Sequence, residues 1–415
     1  MNKKSSPNKF SIINAYSKPY YIFFLLIPTG ISQGFVSITL PYLFTQKGFS
    51  VELSASIIAF GLTANIWRFV WGPVADTTLS LKKWYVIGLA STIITLIALC
   101  LIPYNVKQTT LLFALVLLSQ IASTLIMLPI GGIMAHRIQE EEKGKASGWF
   151  QAGNLGGTGI GGGIGLWLAT HYNITVAAVA VSIIMLFCCW PLYKIKDIHI
   201  DKNNKLLKQL KQVGIDIIDM IKIPISLFVL LLVFAPIGAG GASYLWSAIG
   251  NDWHVSADTI ALITGVLSGV VSAVGSVIGG WICDKWSVFT GYFFTGTLCA
   301  LVTIVMALCG NSPTVFIIGV LAYAFVLGQC YAAFSATLLF AIGKKSASTK
   351  YALLSSFGNI PVVYMTALDG KIHDAFNSKA MLLFESFAVI PFIIIGVVVV
   401  RWMSKKNLIK KQVSY

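Results

Sequence analysis

Three ionisable side chains fall inside apolar segments that are long enough to cross a lipid bilayer, where an uncompensated charge is costly. Arg68 lies between Trp67 and Trp71 in the second such segment, and Asp369 and Glu385 lie near the ends of the last two. An arginine in this setting contacts an anionic ligand group in a cavity, or it forms a salt bridge or extends to the membrane surface. The sequence leaves these alternatives for Arg68 open.

For the two carboxylates, pairing with neighbouring lysines is the favoured interpretation. Lys371 and Lys379 lie close in sequence to Asp369 and Glu385, and all four map near one predicted membrane surface. We therefore expect ion pairs there, with proton coupling through Asp369 and Glu385 as the alternative.

Uncharged polar side chains inside the apolar segments form a second candidate site. A single one often joins two helices, a contact worth about 0.6 kcal/mol. A set drawn from many segments is better explained by a binding cavity. Together with Arg68, the predicted substrate-binding residues are Gln33, Asn65, Gln120, Gln151, Asn154, Trp246, Gln329, Tyr331, Asn359 and Tyr364.

The sequence has no pattern typical of a metal, nucleotide or nucleophile site. The seven cysteines lie in or beside apolar runs without metal-binding spacing, and the five histidines lie at run ends or in loops. Neither a Gly-x-Ser-x-Gly elbow nor a phosphate-binding Gly-x-x-x-x-Gly-Lys-Ser/Thr loop occurs. We therefore predict no metal, no cofactor and no enzymatic activity.

Composition defines the elements that hold these side chains. Of 415 residues, 56% are hydrophobic and 11% are charged, whereas soluble domains carry about 25% charged residues. This excludes a soluble, disordered, collagen-like or disulfide-stabilised protein and predicts an integral membrane protein. The net charge of +15 is explained by a basic membrane face and not by nucleic acid.

Twelve runs can cross a bilayer as helices, at 20–44, 53–71, 84–102, 110–135, 147–170, 174–193, 224–249, 258–283, 288–309, 313–341, 350–369 and 380–401.

Basic residues set the predicted orientation, because cytoplasmic loops keep an excess of lysine and arginine. With the N-terminus inside, the external loops hold four of the 30 basic residues, namely Lys47, Lys107, Lys371 and Lys379. We expect both termini to lie in the cytoplasm.

Residues 194–223 interrupt the series of spans at its midpoint. Leucine, valine and isoleucine recur there at helical spacing among lysines and aspartates, which predicts an amphipathic helix along the inner leaflet. A tether between two halves is favoured over lipid binding or regulation. The predicted domains are an N-terminal six-helix bundle (1–193), a cytoplasmic amphipathic linker (194–223) and a C-terminal six-helix bundle with a short basic tail (224–415).

The two halves repeat one another. A shift of 208 residues places Gly72 and Asp76, after the second span, on Gly280 and Asp284, after the eighth. Glycine is abundant, but matches at equivalent places in two six-span halves indicate an internal duplication. Parallel halves of this kind are typical of secondary transporters.

The arrangement resembles the major facilitator superfamily over essentially the whole chain. The family's loop signature is matched by Gly72, Asp76, Lys82 and Lys83. The chain departs from it at Thr77, where a basic residue is usual, and it has no glycine between Asp76 and Lys82. Residues 71–76 and 350–356 are similar to the peptide–acetyl-coenzyme A–drug branch, which includes muropeptide permeases.

The resemblance implies an all-α membrane protein with twelve transmembrane helices in two pseudo-symmetric six-helix bundles. It implies a monomeric permease of a bacterial cytoplasmic membrane that moves a small polar or anionic solute by rocker-switch alternating access. Asp76 would then face the start of span eleven and Asp284 the start of span five, whereas the alternative is that Asp76 only caps its own loop. The implied gating residues are Gly72, Asp76, Lys82, Lys83, Lys145, Gly280, Asp284, Lys285 and Lys350.

Glycines recur at every fourth position of span five, at Gly153, Gly157, Gly161 and Gly165. Span eight has a similar series of glycines and serines. Small residues on one helical face allow close packing, so we expect spans five and eight to pack together where the halves meet.

Two other function classes remain to be weighed. One is a sensor or scaffold that keeps a transporter fold without transport, and the other, less favoured, is a membrane-embedded enzyme. A polar central cavity favours transport, whereas a cavity filled by apolar side chains favours the sensor.

Overall fold

The computed structural model describes residues 17–139, 143–197, 211, 214–215, 218, 220–342 and 353–406, without the side chains of 72–77, 135–136, 143–145, 147–148, 284 and 342. These residues form helices and no β-strand. The helices are α1 Tyr21–Gln46, α2 Val51–Thr77, α3 Leu81–Leu101, α4 Thr109–Arg137, α5 143–171, α6 Ile174–Cys188, α7 Pro224–Leu232, α8 257–285, α9 Val288–Leu308, α10 Pro313–Ile342, α11 Asn359–Ala375 and α12 Ser378–Lys405. Most of the predicted amphipathic helix in 194–223 lies outside the described residues.

Each predicted span contains one of these helices. In the described part of the chain, nine helices are long and apolar enough to cross a membrane. The exceptions are α5, which is rich in glycine, α7, which ends early, and α11, which has 17 residues. Helix α11 also continues six residues past Asp369, so this carboxylate lies within the helix and not at its end.

Span seven was predicted as one helix over 224–249, and this prediction is wrong. The helix ends at Leu232, and helical turns resume only at Gly241. Pro236 has no N–H to donate, and Gly238 and Gly240 adopt φ values of +68° and +70°, which favour glycine. We call the non-helical residues 233–240 the α7 break.

Three helices contain π-helical segments, and these segments meet at one place. They are Phe35–Thr39 in α1, Ile160–Ile164 in α5 and Ala261–Leu267 in α8, and each contacts the other two. The Thr39 hydroxyl donates to the Gly161 carbonyl at 3.0 Å. Such bulges are rare and are frequent at functional sites, and here they join the two halves of the chain.

The glycine series of α5 packs mainly against α1, which differs from the prediction. A Cβ built on Gly161 would lie 2.0 Å from the Ile31 carbonyl oxygen, and Gly153 and Gly157 are equally close to α1. Helix α8 is instead contacted by Gly163, whose own backbone lies 2.7 Å from a Cβ built on Gly265. The predicted contact between α5 and α8 is therefore confirmed, but through glycines that lie between those of the series.

Equivalent hydrogen bonds occur inside the two halves. The buried Tyr85 hydroxyl of α3 donates to the Leu25 carbonyl of α1, and the buried Tyr292 hydroxyl of α9 donates to the Ile237 carbonyl of the α7 break, both at 2.9 Å. Two large hydrophobic clusters, one mostly in each half, surround these tyrosines.

We expect Tyr85→Phe to lower the free energy of unfolding by about 1 kcal/mol, the typical net value of one hydrogen bond. Denaturant titration of the protein in detergent micelles measures this. Tyr193→Phe is the matched control, because Tyr193 is 88% exposed and its change should leave the midpoint in place. Equal midpoints for the two variants would show that the Tyr85 bond contributes nothing.

The two membrane faces differ in how the halves meet. We call the face where α2 ends and α3 begins the Lys82 face, and the face where α2 begins and α11 ends the His373 face. At the His373 face the halves touch closely, since a Cβ built on Gly370 of α11 would lie 2.3 Å from Ala55 Cβ of α2. Towards the Lys82 face, the described contact between α2 and the segment before α11 is aromatic, with the ring centroids of Phe69 and Phe357 5.6 Å apart.

Candidate substrate cavity and carboxylate pair

A central cavity of about 420 Å³ lies between the two halves, a volume suited to a small solute. Its lining comes from α1, α2, α4 and α5 on one side and from the α7 break, α8, α10 and α11 on the other. It reaches Arg68, Met127 and Phe334, which lie on the Lys82 side of the membrane centre, whereas contacts between the halves close the His373 face.

The wall from the N-terminal half is polar. Five predicted binding residues line it, Gln33, Asn65, Arg68, Gln120 and Asn154. The Arg68 guanidinium donates to the Met127 sulfur at 2.8 Å, a weak acceptor, and Gln120 donates to Ser32 at 3.3 Å. This wall therefore presents amide groups and one cation to the cavity.

The wall from the C-terminal half is mainly aromatic, with Tyr244, Trp246, Tyr292, Tyr323, Tyr331 and Phe334. Of these, Trp246 and Tyr331 were predicted, as was Asn359 beside them. The other four were missed because an aromatic ring adds to the hydropathy of a span and carries no signal of its own. Their helical register, which places them on the inner face, becomes apparent only once the helices are assembled.

Several polar atoms of the cavity have no protein partner. Asn154 Oδ1 and Ser268 Oγ are buried and accept or donate no hydrogen bond among the described residues. Both residues line the cavity. Because unpaired buried polar groups are costly, these atoms are suited to bind water or a polar ligand.

Three predicted binding residues are not brought to the cavity. Gln151 is exposed on the outside of α5. Gln329 is buried where α10 packs against α8, with its backbone 2.4 Å from a Cβ built on Gly279. The Tyr364 hydroxyl donates to the Phe234 carbonyl at 2.9 Å. Gln329 and the Tyr364 hydroxyl therefore lie at contacts between elements of the C-terminal half, whereas Gln151 is exposed.

Asp369 and Glu385 lie together in the C-terminal half, 0% and 6% exposed. The predicted ion pairs with Lys371 and Lys379 are wrong, since neither carboxylate pairs with a lysine among the described residues. Both oxygens of Asp369 and Oε2 of Glu385 have no hydrogen-bond partner there. Helical register explains this, because the carboxylates face the bundle interior and the lysines are exposed.

The carboxylate pair is connected to the cavity in two ways. The Tyr323 hydroxyl donates to Glu385 Oε1 at 2.5 Å, while the Tyr323 ring lines the cavity. A Cβ built on Gly241 would lie 2.2 Å from Asp369 Oδ2, so the backbone that follows the α7 break lies against this carboxylate. Gly238 and Ala239 of the break line both the cavity and a space of about 10 Å³ beside Glu385.

Five of the nine predicted gating residues lie wholly or partly outside the described residues. The side chains of Gly72, Asp76, Lys145 and Asp284, and all of Lys350, lie outside the described residues. Among the others, Lys83 is exposed and Lys82 is half-buried at the start of α3. Lys285 lies over the Trp281 ring, with Nζ 4.9 Å from its centroid.

Comparisons with known proteins agree with this architecture. Residues 22–366 match the family model of the Major Facilitator Superfamily. A crystal structure of a D-xylose–proton symporter is similar over 92% of this chain and 96% of its own, with 12% identity and a TM-score of 0.71. A crystal structure of a point mutant of the nucleoside transporter NupG is similar over 91% of this chain and 98% of its own, with 11% identity and a TM-score of 0.70. Comparison with curated proteins gave no match.

The family model covers most of the chain, and the two solved structures share its fold along nearly their whole length. The predicted all-helical membrane fold is thereby confirmed. The protein belongs to the major facilitator superfamily, and it is a secondary transporter and not an enzyme.

Proposed function

We propose that the protein moves a small polar or anionic solute, together with a proton, across the cytoplasmic membrane of a bacterium by rocker-switch alternating access. The cavity between the halves, closed at the His373 face, carries this proposal. In it the two bundles, 1–193 and 224–415, rock about the solute. Each chain encloses its own cavity, so we propose a monomer.

The orientation in the proposal follows from the basic residues. Cytoplasmic loops keep an excess of lysine and arginine, so the Lys82 face and both termini are cytoplasmic. The conformation described is then inward-facing. The amide, hydroxyl and guanidinium groups that line the cavity also favour transport over a sensor that keeps only the fold.

The charge of the solute is inferred from the cavity walls. Arg68 contributes a cation to a wall that holds four amide side chains among apolar and hydroxyl ones, and aromatic rings lie on the opposite wall. A guanidinium binds carboxylate and phosphate groups through paired hydrogen bonds, and aromatic rings pack against flat or ring-shaped groups. We therefore infer an organic anion with a ring or an extended apolar face.

We expect Arg68→Ala to weaken binding of such an anion about 10–100-fold, because a hydrogen bond to a charged group contributes about 1.5–3 kcal/mol. Thermal-shift measurements in detergent would compare neutral and anionic pairs, namely D-xylose with D-xylonate, D-glucose with D-glucuronate, and uridine with its 5′-monophosphate. A ligand that binds the folded state stabilises it by mass action.

Arg68→Lys and Arg401→Ala are the matched variants. The lysine keeps the charge and should retain part of the binding, and Arg401 is exposed at the end of α12 and should not matter. If the neutral member of each pair bound as tightly as the anion, and Arg68→Ala bound both normally, the anionic assignment would be wrong.

The proton in this proposal is assigned to Asp369 and Glu385. A carboxylate that is buried without a cationic partner is costly in its charged form, by several kcal/mol, and it is stable when protonated. The space of about 10 Å³ beside Glu385 is at the lower limit for one water and too small for a hydrated metal cation. The D-xylose–proton symporter of the same fold is a precedent for this coupling ion.

A further inference from the structure

The two halves are joined at the His373 face by a carboxylate that caps a helix of the opposite half. Asp374, at the end of α11, accepts hydrogen bonds from the backbone N–H groups of Val51 and Glu52 at 3.2 and 2.5 Å. These residues are the first two of α2. The first N–H groups of a helix have no partner inside the helix, and its N-terminus carries a partial positive charge.

Neighbouring groups hold Asp374 in this position. His373 Nδ1 lies 3.0 Å from Asp374 Oδ1, and His373 Nε2 lies 2.8 Å from Asp252 Oδ2. Ser378 of α12 donates to the same Asp252 carboxylate. All four side chains belong to the C-terminal half, so Asp374 crosses to the other half through the two α2 amides and the Ser50 side chain, which precedes α2.

The charges of this cluster favour the cap at neutral pH. Burial raises the pKa of Asp374, but hydrogen bonds from His373 and from the Glu52 amide outweigh it, and the net pKa lies below the usual range. The pKa of Asp252 also lies below its usual range. Burial raises it, but hydrogen bonds from His373 and Ser378 outweigh that effect. Burial lowers the pKa of His373, yet the two aspartates raise it overall. His254 also faces Asp252 and contributes to lowering the pKa of that carboxyl.

Glycine at position 370 makes the contact possible. It lies one turn before Asp374 on α11, and its Cα approaches Ala55 and the Val51 carbonyl so closely that any Cβ would collide. Helices α2 and α11 are thus in van der Waals contact at the point where the cap forms. Moving the halves apart at this face breaks both hydrogen bonds in one step.

We propose that Asp374 is the latch of the His373 face, and that α2 and α11 carry reciprocal latches at their two ends. The family resemblance implies that Asp76, at the end of α2, faces the start of span eleven at the Lys82 face. Asp374, at the end of α11, caps the start of α2 at the opposite face. In this proposal the Asp374 latch holds the His373 face closed, and it must be released before that face opens.

This inference rests on the proposed alternating access, and the test separates the two. Spin labels at Lys107→Cys and the native Cys309, one in each half, would report distances at the His373 face by pulsed dipolar spectroscopy. Labels at Tyr193→Cys and Lys406→Cys would report the Lys82 face. In each of the two labelled proteins, every native cysteine that does not carry a label is replaced by alanine.

We expect Asp374→Ala to raise the population open at the His373 face about tenfold, and to shorten the distances at the Lys82 face, since a charged cap with two amide bonds is lost. Asp374→Asn keeps one acceptor oxygen and should give a smaller shift in the same direction. Size-exclusion profiles identify any variant that fails to fold, and the asparagine variant then replaces the alanine variant.

Asp258→Ala is the matched control. Asp258 also lies at a helix start on the His373 face, but its contact with His171 is 3.8 Å long and solvent-exposed, so its loss should leave the populations unchanged. If the wild type samples both conformations while Asp374→Ala leaves their ratio unchanged, the latch is overturned and alternating access stands. If the wild type shows one distance at each face at every pH and with every probe of the anion panel, both proposals fail.

Discussion

Glu385→Gln should abolish accumulation driven by a pH gradient while leaving exchange across the membrane intact. Glutamine keeps the acceptor oxygen for the Tyr323 hydroxyl but cannot release a proton. A monovalent anion moving with one proton carries no net charge, so only the pH gradient drives it. Wild-type proteoliposomes should then accumulate the anion about tenfold per pH unit, equivalent to about 1.4 kcal/mol.

The measurement uses radiolabelled anion from whichever carboxylate probe binds in the thermal-shift panel. In the Glu385→Gln variant the ratio of inside to outside concentration should fall to about one, whereas counterflow of labelled for unlabelled anion continues. Asp369→Asn should behave in the same direction, because the described residues offer Asp369 no partner that would hold it charged. Glu52→Gln changes an exposed carboxylate at the His373 face and is the control. Tenfold accumulation by Glu385→Gln would rule out the carboxylate as the coupling group.

Gly161→Leu should eliminate folded protein, which is the second large effect. The nearest atom to a Cβ on Gly161 is the Ile31 carbonyl oxygen, 2.0 Å away, and the next two are also Ile31 backbone atoms. A side chain cannot move aside here, because the collision is with backbone of α1. Overpacking of a flexible site costs about 1–3 kcal/mol, and a rigid helix seam exceeds that range.

Gly156 provides the control within the same helix. A Cβ there meets one atom, the edge of the Phe23 ring at 3.9 Å, and alanine is the better helix former by about 1 kcal/mol. Gly156→Ala should therefore keep or raise the thermal unfolding temperature, whereas Gly161→Ala lowers it and Gly161→Leu yields aggregate on size exclusion. Equal unfolding temperatures for Gly161→Ala and Gly156→Ala would contradict the close α1–α5 packing.

The sequence predicts what depends on composition and on local pattern. The apolar runs, the duplicated Gly-x-x-x-Asp segments and the polar residues inside spans were enough to predict the class and most of the helices, and eight of the eleven side chains that were expected to line the cavity do so. The α7 break could also have been predicted, because Pro236, Gly238 and Gly240 are three closely spaced residues of types that interrupt helices. The prediction missed the break because it gave more weight to the length of the apolar run than to these three residues.

What the sequence does not predict depends on which helix faces which. The glycine series of α5 looks the same whether it packs on α8 or on α1, and Asp369 looks like a helix end until α11 is seen to continue beyond it. Asp374 matches no motif, because its role depends on two backbone N–H groups more than 300 positions away in the sequence. Tertiary contacts of this kind leave no local signature.

The central claim is that one cavity opens to each side of the membrane in turn. It is tested most directly by a single cysteine at Ser268, a half-buried residue that lines the cavity, in a protein without other cysteines and in oriented membrane vesicles. A membrane-impermeant thiol reagent should label this cysteine from both faces of the membrane. Labelling from one face should decrease when a ligand or the Asp374→Ala change favours the conformation that is open to the other face. Labelling from the Lys82 face alone under every condition would contradict alternating access and leave a one-sided vestibule.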